Sequence, residues 1–202
     1  GYGDIHTALV TKLSNITEAF IDKLIRTTYE RSVKSSKVKA LNPVYIGRHQ
    51  LILKPEVTAA LVHELSHLLE ATSLSRLSIG SKVGPPELEL IDDPHELSSP
   101  AIRLFDDEGV PTIRRKLIEG GVVIDYHHTR SSAYVLGGKA GSAYGLFHSP
   151  IPYHTTLVMK AGDWRDDEIV QETSRGFIVD GVVMAETEGN YIRIVPEYAL
   201  YV

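Results

Sequence analysis

The sequence predicts an α+β fold, and three observations carry that prediction. The first third of the chain holds two segments in which apolar residues recur every three or four positions. From Leu88 onward the texture changes to short runs of β-forming residues punctuated by Gly and Asp turns. A chain of 202 residues with 43% hydrophobic and 23% charged residues suits a globular core. Helices first and a mainly antiparallel sheet later is the α+β order: a long N-terminal helix and a second helix packed on the sheet.

The elements follow in order. Ile5, Leu9, Leu13, Ile16, Phe20, Leu24 and Ile25 lie at helical spacing, so one long amphipathic helix is expected over residues 4–35, packing on a core or a partner. Residues 44–53 alternate enough for a strand. Pro55 suits a first helical position and Glu56 its first turn, and neither Gly nor Pro interrupts residues 57–79. On that second helix Val57, Leu61, Val62, Leu65, Leu68 and Leu69 form one apolar arc, while His63, His67 and Glu70 fall on the opposite arc. Glu119-Gly120-Gly121 separates residues 113–118 from 122–126 as a hairpin turn would. Further strands are expected at 155–159, 176–179, 182–187 and 191–195, with turns at Asp180-Gly181 and Gly189-Asn190. Gly137-Gly138 through Gly145 reads as a flexible segment on the surface or covering a site. The organisation expected is a helical arm over 1–40 and an α+β core over 41–202. Gly1 and Val202 both look like cut ends, so the chain is read as the central core of a longer protein.

Composition excludes several function classes. A net charge of −5 and the absence of a basic stripe with interleaved aromatics argue against direct nucleic-acid contact. No apolar run is long enough to span a membrane, and the N-terminus lacks the pattern of a signal peptide. Zero Cys removes disulfides and thiolate ligands from this chain and fits a cytoplasmic protein.

Within the second helix, His63-Glu64-Leu65-Ser66-His67 spells H-E-x-x-H. Helical spacing places the two imidazoles on one face, where they can grip one metal ion with the glutamate beside it. His63 and His67 are the expected ligands of a zinc ion, Glu64 the general base, and Glu70 a residue behind the ligands that orients an imidazole. Peptide-bond hydrolysis is the reaction class this arrangement suggests. A catalytic zinc needs a third protein ligand. The extended pattern H-x-x-G-x-x-H fails, because Glu70 and Ser73 stand where its Gly and His would fall. Glu87, Glu89, Asp92, Asp106, Asp107, Glu108, His127, His128, His148 and His154 are all available, and spacing selects none. His95-Glu96-Leu97-Ser98 echoes the motif, but Ser99 replaces the second His and the flanking Asp and Pro residues predict a loop.

Several stretches taken in order resemble the TldD/PmbA metallopeptidases, long labelled modulators of DNA gyrase. They are Leu53-Lys54-Pro55-Glu56-Val57, Val62 through Ala71, Ile91-Asp92-Asp93-Pro94, and Phe105-Asp106-Asp107-Glu108-Gly109-Val110-Pro111. Leu117-Ile118-Glu119-Gly120-Gly121-Val122, Tyr126, Ser132-Ala133, Pro150, Pro152 and Arg175-Gly176 continue the likeness, which covers roughly residues 44–197. It implies a zinc-dependent peptidase subunit of TldD type that hydrolyses unfolded or flexible peptides, working as a dimer with a PmbA/TldE-like partner or by self-association. Two departures stand out. TldD proteins usually carry H-E-x-x-x-H, one residue longer than the motif here. The resemblance also places the third zinc ligand, a Cys in bacterial members, in a C-terminal stretch beyond Val202, so the chain alone is expected to be weakly active or inactive. The competing reading is a non-catalytic binding or assembly subunit of the same complex, with an incomplete metal site.

Overall fold

The first helix, α1 (Glu18–Ser35), begins where its side chains dictate. The computed structural model describes residues 16–40, 42–74, 76–145, 149–189 and 191–202. Thr17 is extended (φ −100°, ψ 163°), and its Oγ1 accepts from the Phe20 N–H at 3.2 Å, an N-cap that fixes the helix start. The helix expected over 4–35 is therefore shorter in its described part, and Ile5, Leu9 and Leu13 lie outside the described residues. Its apolar side chains Ile21, Leu24 and Ile25 are exposed rather than packed. The buried residue is Arg31, whose Nη1 and Nη2 donate to Glu56 Oε1 and Oε2 at 2.6 Å each while Nε lies 3.1 Å from Glu197 Oε2. A planar guanidinium matched to a carboxylate fork is the strongest ion-pair geometry a side chain offers. The Glu56 hydrogen bond raises Arg31 further above its already high pKa, against the lowering effect of burial.

The strand expected over 44–53 is divided: Pro43–Tyr45 forms a short 3-10 turn and only β1 (Gln50–Leu53) is extended. Then α2 (Pro55–His67) follows, ending at the second motif histidine rather than running on. The remaining helices, α3 (Arg130–Leu136) and α4 (Asp166–Glu172), are too short to announce themselves by periodicity. The other strands are β2 (Leu90–Asp92), β3 (Arg115–Glu119), β4 (Val122–Val123), β5 (Ala143–Tyr144), β6 (Ile151–Pro152), β7 (Leu157–Met159), β8 (Gly176–Asp180), β9 (Met184–Glu188), β10 (Tyr191–Val195) and β11 (Tyr198–Tyr201). They form sheets ordered β1-β8-β11, β10-β9, β4-β3-β2-β7 and β5-β6. β1 runs parallel to β8; β11 on β8, β3 and β7 on β2, β4 on β3, and β6 on β5 run antiparallel. The fold is α+β as the sequence predicts, with the β-structure divided among several small sheets.

Two compact units emerge, one of residues 1–59, 164–184 and 194–202, the other of residues 60–163 and 185–193. The first has a core of Val57, Phe177 and Val179, with Tyr45, Leu53 and Ile194 packed on it. The second is built on Val62, Leu69, Ala71, Leu90, Leu117, Ile118, Val123 and Tyr126. The α2 arc of Val62, Leu65 and Leu69 faces that core as its spacing requires. Fully burying a Leu or Ile such as Leu69, Leu117 or Ile118 contributes about 1.5–3 kcal/mol each.

Three loops locate the rest. Gly120 and Gly121 have φ of 59° and 74° between β3 and β4, the double left-handed turn that only Gly takes without strain. The Phe105–Pro111 stretch is a closed turn in which Asp106 Oδ1 accepts from the N–H groups of Glu108 (3.0 Å) and Val110 (2.9 Å) and Oδ2 from Ala143 (3.2 Å). Residues 137–145 are not the loose cover expected. Gly137 closes α3 in the left-handed region, Arg115 donates to Lys139 O at 2.7 Å, and Ser142 and Ala143 are buried. Small residues there serve close packing, not mobility: a Cβ on Gly138 would lie 2.1 Å from His128 Nε2.

Candidate metal centre

The end of α2 gathers the motif. His63 and His67, one turn apart on a regular helix, bring their Nε2 atoms to 3.2 Å from one another, with rings at 4.8 Å and 90°. His63, Glu64 and His67 form a group whose potential ligand atoms all lie within 4.8 Å of one another. On a tetrahedral zinc with bonds of about 2.0–2.1 Å, two imidazole nitrogens sit roughly 3.3 Å apart. The donor set therefore fits zinc in chemistry and spacing. Burial, and secondarily the neighbouring His67, holds His63 below the ordinary histidine pKa, so its ring is neutral and can donate a lone pair at neutral pH.

Glu64 is buried, its Oε2 accepting from Thr187 Oγ1 on β9 at 2.9 Å. The same hydroxyl is 3.1 Å from the Glu64 carbonyl oxygen, so its one hydrogen is shared between the two acceptors of that residue. Glu70 lies just past the helix, and its Oε1 is 2.7 Å from His67 Nδ1. A carboxylate at Nδ1 fixes that proton and leaves Nε2 bare, the tautomer a metal ligand requires. An open cavity of about 530 Å³ is lined by Glu64, His67, Glu70, Leu74, Ala185 and Thr187.

Behind the motif runs a buried polar chain. Ser66 Oγ, wholly buried on α2, lies 3.1 Å from His127 Nε2 and 3.0 Å from His154 Nδ1. His127 Nδ1 faces Asp92 Oδ2 at 3.4 Å. Asp92 Oδ1 in turn accepts from Thr155 N–H (2.9 Å), Thr155 Oγ1 (2.7 Å) and Thr156 N–H (2.9 Å), fixing the backbone that carries His154. Burial pushes the Asp92 carboxyl up, but the contact with His127 and the Thr155 donors outweigh it and hold it below the usual range. Burial, with His127 and His63 close by, lowers His154 to about 3. The His154 ring lies 4.8 Å from that of His63 and 5.9 Å from that of His67, and it stacks on Tyr153 at 4.4 Å.

Among the ten third-ligand candidates, the His154 ring lies beside the histidine pair, with His127 and Asp92 behind it, while the group of potential ligand atoms that comes together among the described residues is His63, Glu64 and His67. Asp106, Asp107 and Glu108 are occupied by backbone N–H groups of Val110, Gly145 and Arg130. Glu89 pairs with Lys160, and His128 bonds Ser132. Glu87 is exposed, and His148 lies outside the described residues. The His95 echo is a turn, as expected, with the ring on Thr112 Oγ1 at 3.0 Å. Thr187 and Ser66 carried no signal in the sequence. Their partners lie 123 and up to 88 residues away, beyond any local pattern.

Comparison with known proteins places the chain in a family. The family model for the PmbA/TldA metallopeptidase C-terminal domain matches residues 46–201. A metalloprotease of Methanothermobacter thermautotrophicus is 30% identical over 172 residues, which span 80% of this chain and 37% of that protein. A zinc metalloprotease TldD homolog of Saccharolobus solfataricus is 29% identical over 202 residues, covering 93% of this chain and 44% of the relative. The chain thus spans less than half the length of these relatives. The crystal structure of TldE from Thermococcus kodakarensis superposes with a TM-score of 0.67 at 21% identity, over 88% of this chain and 43% of that one, and shares its fold. With more than half its residues matched by the family model and the motif at the end of α2, the chain belongs to the TldD/PmbA metallopeptidase family.

Proposed function

We propose that this chain is the metal-bearing part of a zinc-dependent peptidase of TldD type, acting on unfolded or flexible peptides with a PmbA/TldE-like partner or a second copy of itself. The observation that carries the reading is the 3.2 Å approach of His63 Nε2 and His67 Nε2 with the Glu64 carboxylate in the same group. His63 and His67 would hold the ion, and Glu70 keeps the His67 proton on Nδ1. A bound zinc supplies Lewis acidity toward a carbonyl and toward water. Glu64, held by Thr187, is placed to take a proton from a nucleophilic water and to return it to the leaving amine. The cavity beside Glu64, His67 and Thr187 is open enough for an extended peptide to reach them. No helix among the described residues is long and apolar enough to cross a membrane, and a cytoplasmic setting is consistent with a chain without Cys.

The test uses the full-length protein. Glu64→Gln should retain zinc and lose about 10²–10⁴-fold in peptide turnover, because an amide of the same size accepts no proton. The His63→Ala/His67→Ala double variant should lose the zinc. Near-normal turnover in the Gln variant, or unchanged zinc in the double variant, would refute the assignment.

A further inference from the structure

We infer that the cavity walled by the Phe105–Pro111 turn and the β5–β6 pair is a specificity pocket, which holds a large apolar side chain of the substrate peptide a few residues from the bond that is cut. This rests on the metallopeptidase reading above and adds to it a choice among peptides.

The first argument is position. A cavity of about 510 Å³ is lined by Ala101, Arg103, Tyr144, Ile151, Tyr153 and His154 with their neighbours, and by none of His63, Glu64 and His67. Its wall nearest the motif is the stacked pair Tyr153 and His154, with ring centroids 4.4 Å apart. The Tyr153 ring lies 5.5 Å from that of His67, and the His154 ring 4.8 Å from that of His63. A side chain packed against these two rings from the cavity lies roughly 10 Å from the histidine pair, about three residues of extended chain.

The second argument is chemistry. Ala101, Ile151 and the rings of Tyr144 and Tyr153 make an apolar lining, and Ile151 is 52% exposed. A concave apolar surface of this volume suits a Leu or Phe side chain. Arg103 is exposed and has no ion pair or side-chain hydrogen bond among the described residues. A free guanidinium at the edge of an apolar hollow is a donor for a carbonyl oxygen of the same peptide.

The third argument is rigidity. Asp106 is 5% exposed and spends both oxygens on the turn and on the Ala143 N–H of β5. The Asp107 N–H donates to Ala143 O at 2.9 Å, and Asp107 Oδ2 accepts from the Gly145 N–H at 2.8 Å. Arg103 is pinned through its own backbone, its N–H donating to Pro94 O at 2.9 Å and its carbonyl accepting from Thr112 Oγ1 at 2.6 Å. A turn that only reversed the chain would not need a buried carboxylate tied to the opposite wall. The walls are thus fixed before a ligand arrives, so little affinity is lost to ordering them.

The test offers the full-length zinc-loaded protein a panel of peptides with Ala, Leu, Phe or Asp at successive positions on either side of the cleaved bond. At one position Leu or Phe should exceed Ala in kcat/KM by about 10–100-fold. Ile151→Glu should lower that ratio at least about ten-fold, and Ala101→Leu, which narrows the hollow, should shift the preference from Phe toward Leu. Arg103→Ala should weaken all peptides by a similar factor and leave the ratio alone. Equal cleavage of the Ala, Leu and Phe peptides at every position, or wild-type ratios in both lining variants, would overturn the pocket and leave the metallopeptidase reading standing. Binding of the same labelled peptides to the Glu64→Gln protein, read by fluorescence anisotropy, separates the two ideas. A preference of about ten-fold for Leu or Phe, with no hydrolysis by the wild type, would keep the pocket and sink the peptidase.

Discussion

Replacing Asp92 by Asn tests the proton ordering along the Asp92–His127–Ser66–His154 chain with almost no change in shape: the Asp92 carboxylate favours hydrogen on His127 Nδ1, so Ser66 donates to His127 Nε2 and accepts from His154 Nδ1. The side-chain oxygen of Asn can still accept from Thr155 N–H, Thr155 Oγ1 and Thr156 N–H, as Asp92 Oδ1 does. The amide –NH₂ then takes the place of Oδ2 and donates toward His127 Nδ1. Two donors cannot face each other, so His127 moves its proton to Nε2. Ser66 now accepts from His127 and donates to His154 Nδ1, and the His154 proton shifts to Nε2. Losing a hydrogen-bonded charge in favour of a neutral amide should cost about 1–3 kcal/mol of stability. The wild-type chain also has a built-in pH signature: a carboxyl held below the unfolded value contributes stability above pH 3.8 and loses it as pH falls through its folded pKa. The stability gap between wild type and Asp92→Asn should therefore narrow below pH 3.8. Denaturant titrations at several pH values and ¹⁵N shifts of the His154 ring in the apo protein report the two effects. Unchanged His154 nitrogen shifts would refute the relay, whatever happens to stability.

Two further expectations concern the frame around the site. Gly138→Ala puts a Cβ 2.1 Å from Nε2 of buried His128, so it should cost about 2–3 kcal/mol by overpacking; Gly137→Ala, which meets no atom within 4 Å but sits at φ 79°, should cost only about 1–2 kcal/mol, and the reverse order in urea denaturation would show the 137–145 segment to be looser than described. Arg115→Met removes the bond to Asp125 Oδ2 (2.7 Å) and to Lys139 O (2.7 Å); with Asp125 partly hydrated, about 2–3 kcal/mol should be lost, and a midpoint within error of wild type would refute the anchoring role.

What the sequence made legible was local. The H-E-x-x-H helix is bounded by Pro55 and carries its apolar arc at 3.6-residue spacing, and Gly120-Gly121 can mean little but a tight turn, because both features act over a few residues. The missed features are those set by distant partners. α3 is seven residues held by the Thr129–Ser132 capping box, too short for a periodic signal. The Gly-rich stretch after it was expected to be loose because glycine permits freedom, yet His128 and Pro111 press on Gly138 and Gly141 closely enough that only glycine fits. His154 stood among ten equal candidates, because 88 residues separate it from Ser66 and no spacing rule operates over that range.

One short contact explains how this chain can carry the compact motif and still orient both sides of the site. α2 stops at His67, and the chain after it forms a parallel bridge between Glu70 and His127. The His127 N–H donates to Leu69 O at 2.9 Å, and the Ala71 N–H donates to His127 O at 3.1 Å. That pair of bonds sets the register of the two segments. It holds Glu70 where its carboxylate reaches His67 Nδ1, and it holds His127 where its ring reaches Ser66 one turn back on the same helix. A slip of one residue would point both side chains to the opposite face, removing the support of His67 and of His154 together. The helix therefore needs no widened turn between its histidines. Its His67 and Ser66 side chains are aligned from outside by a two-residue bridge, which couples the stability of the 126–128 segment directly to the geometry of the motif.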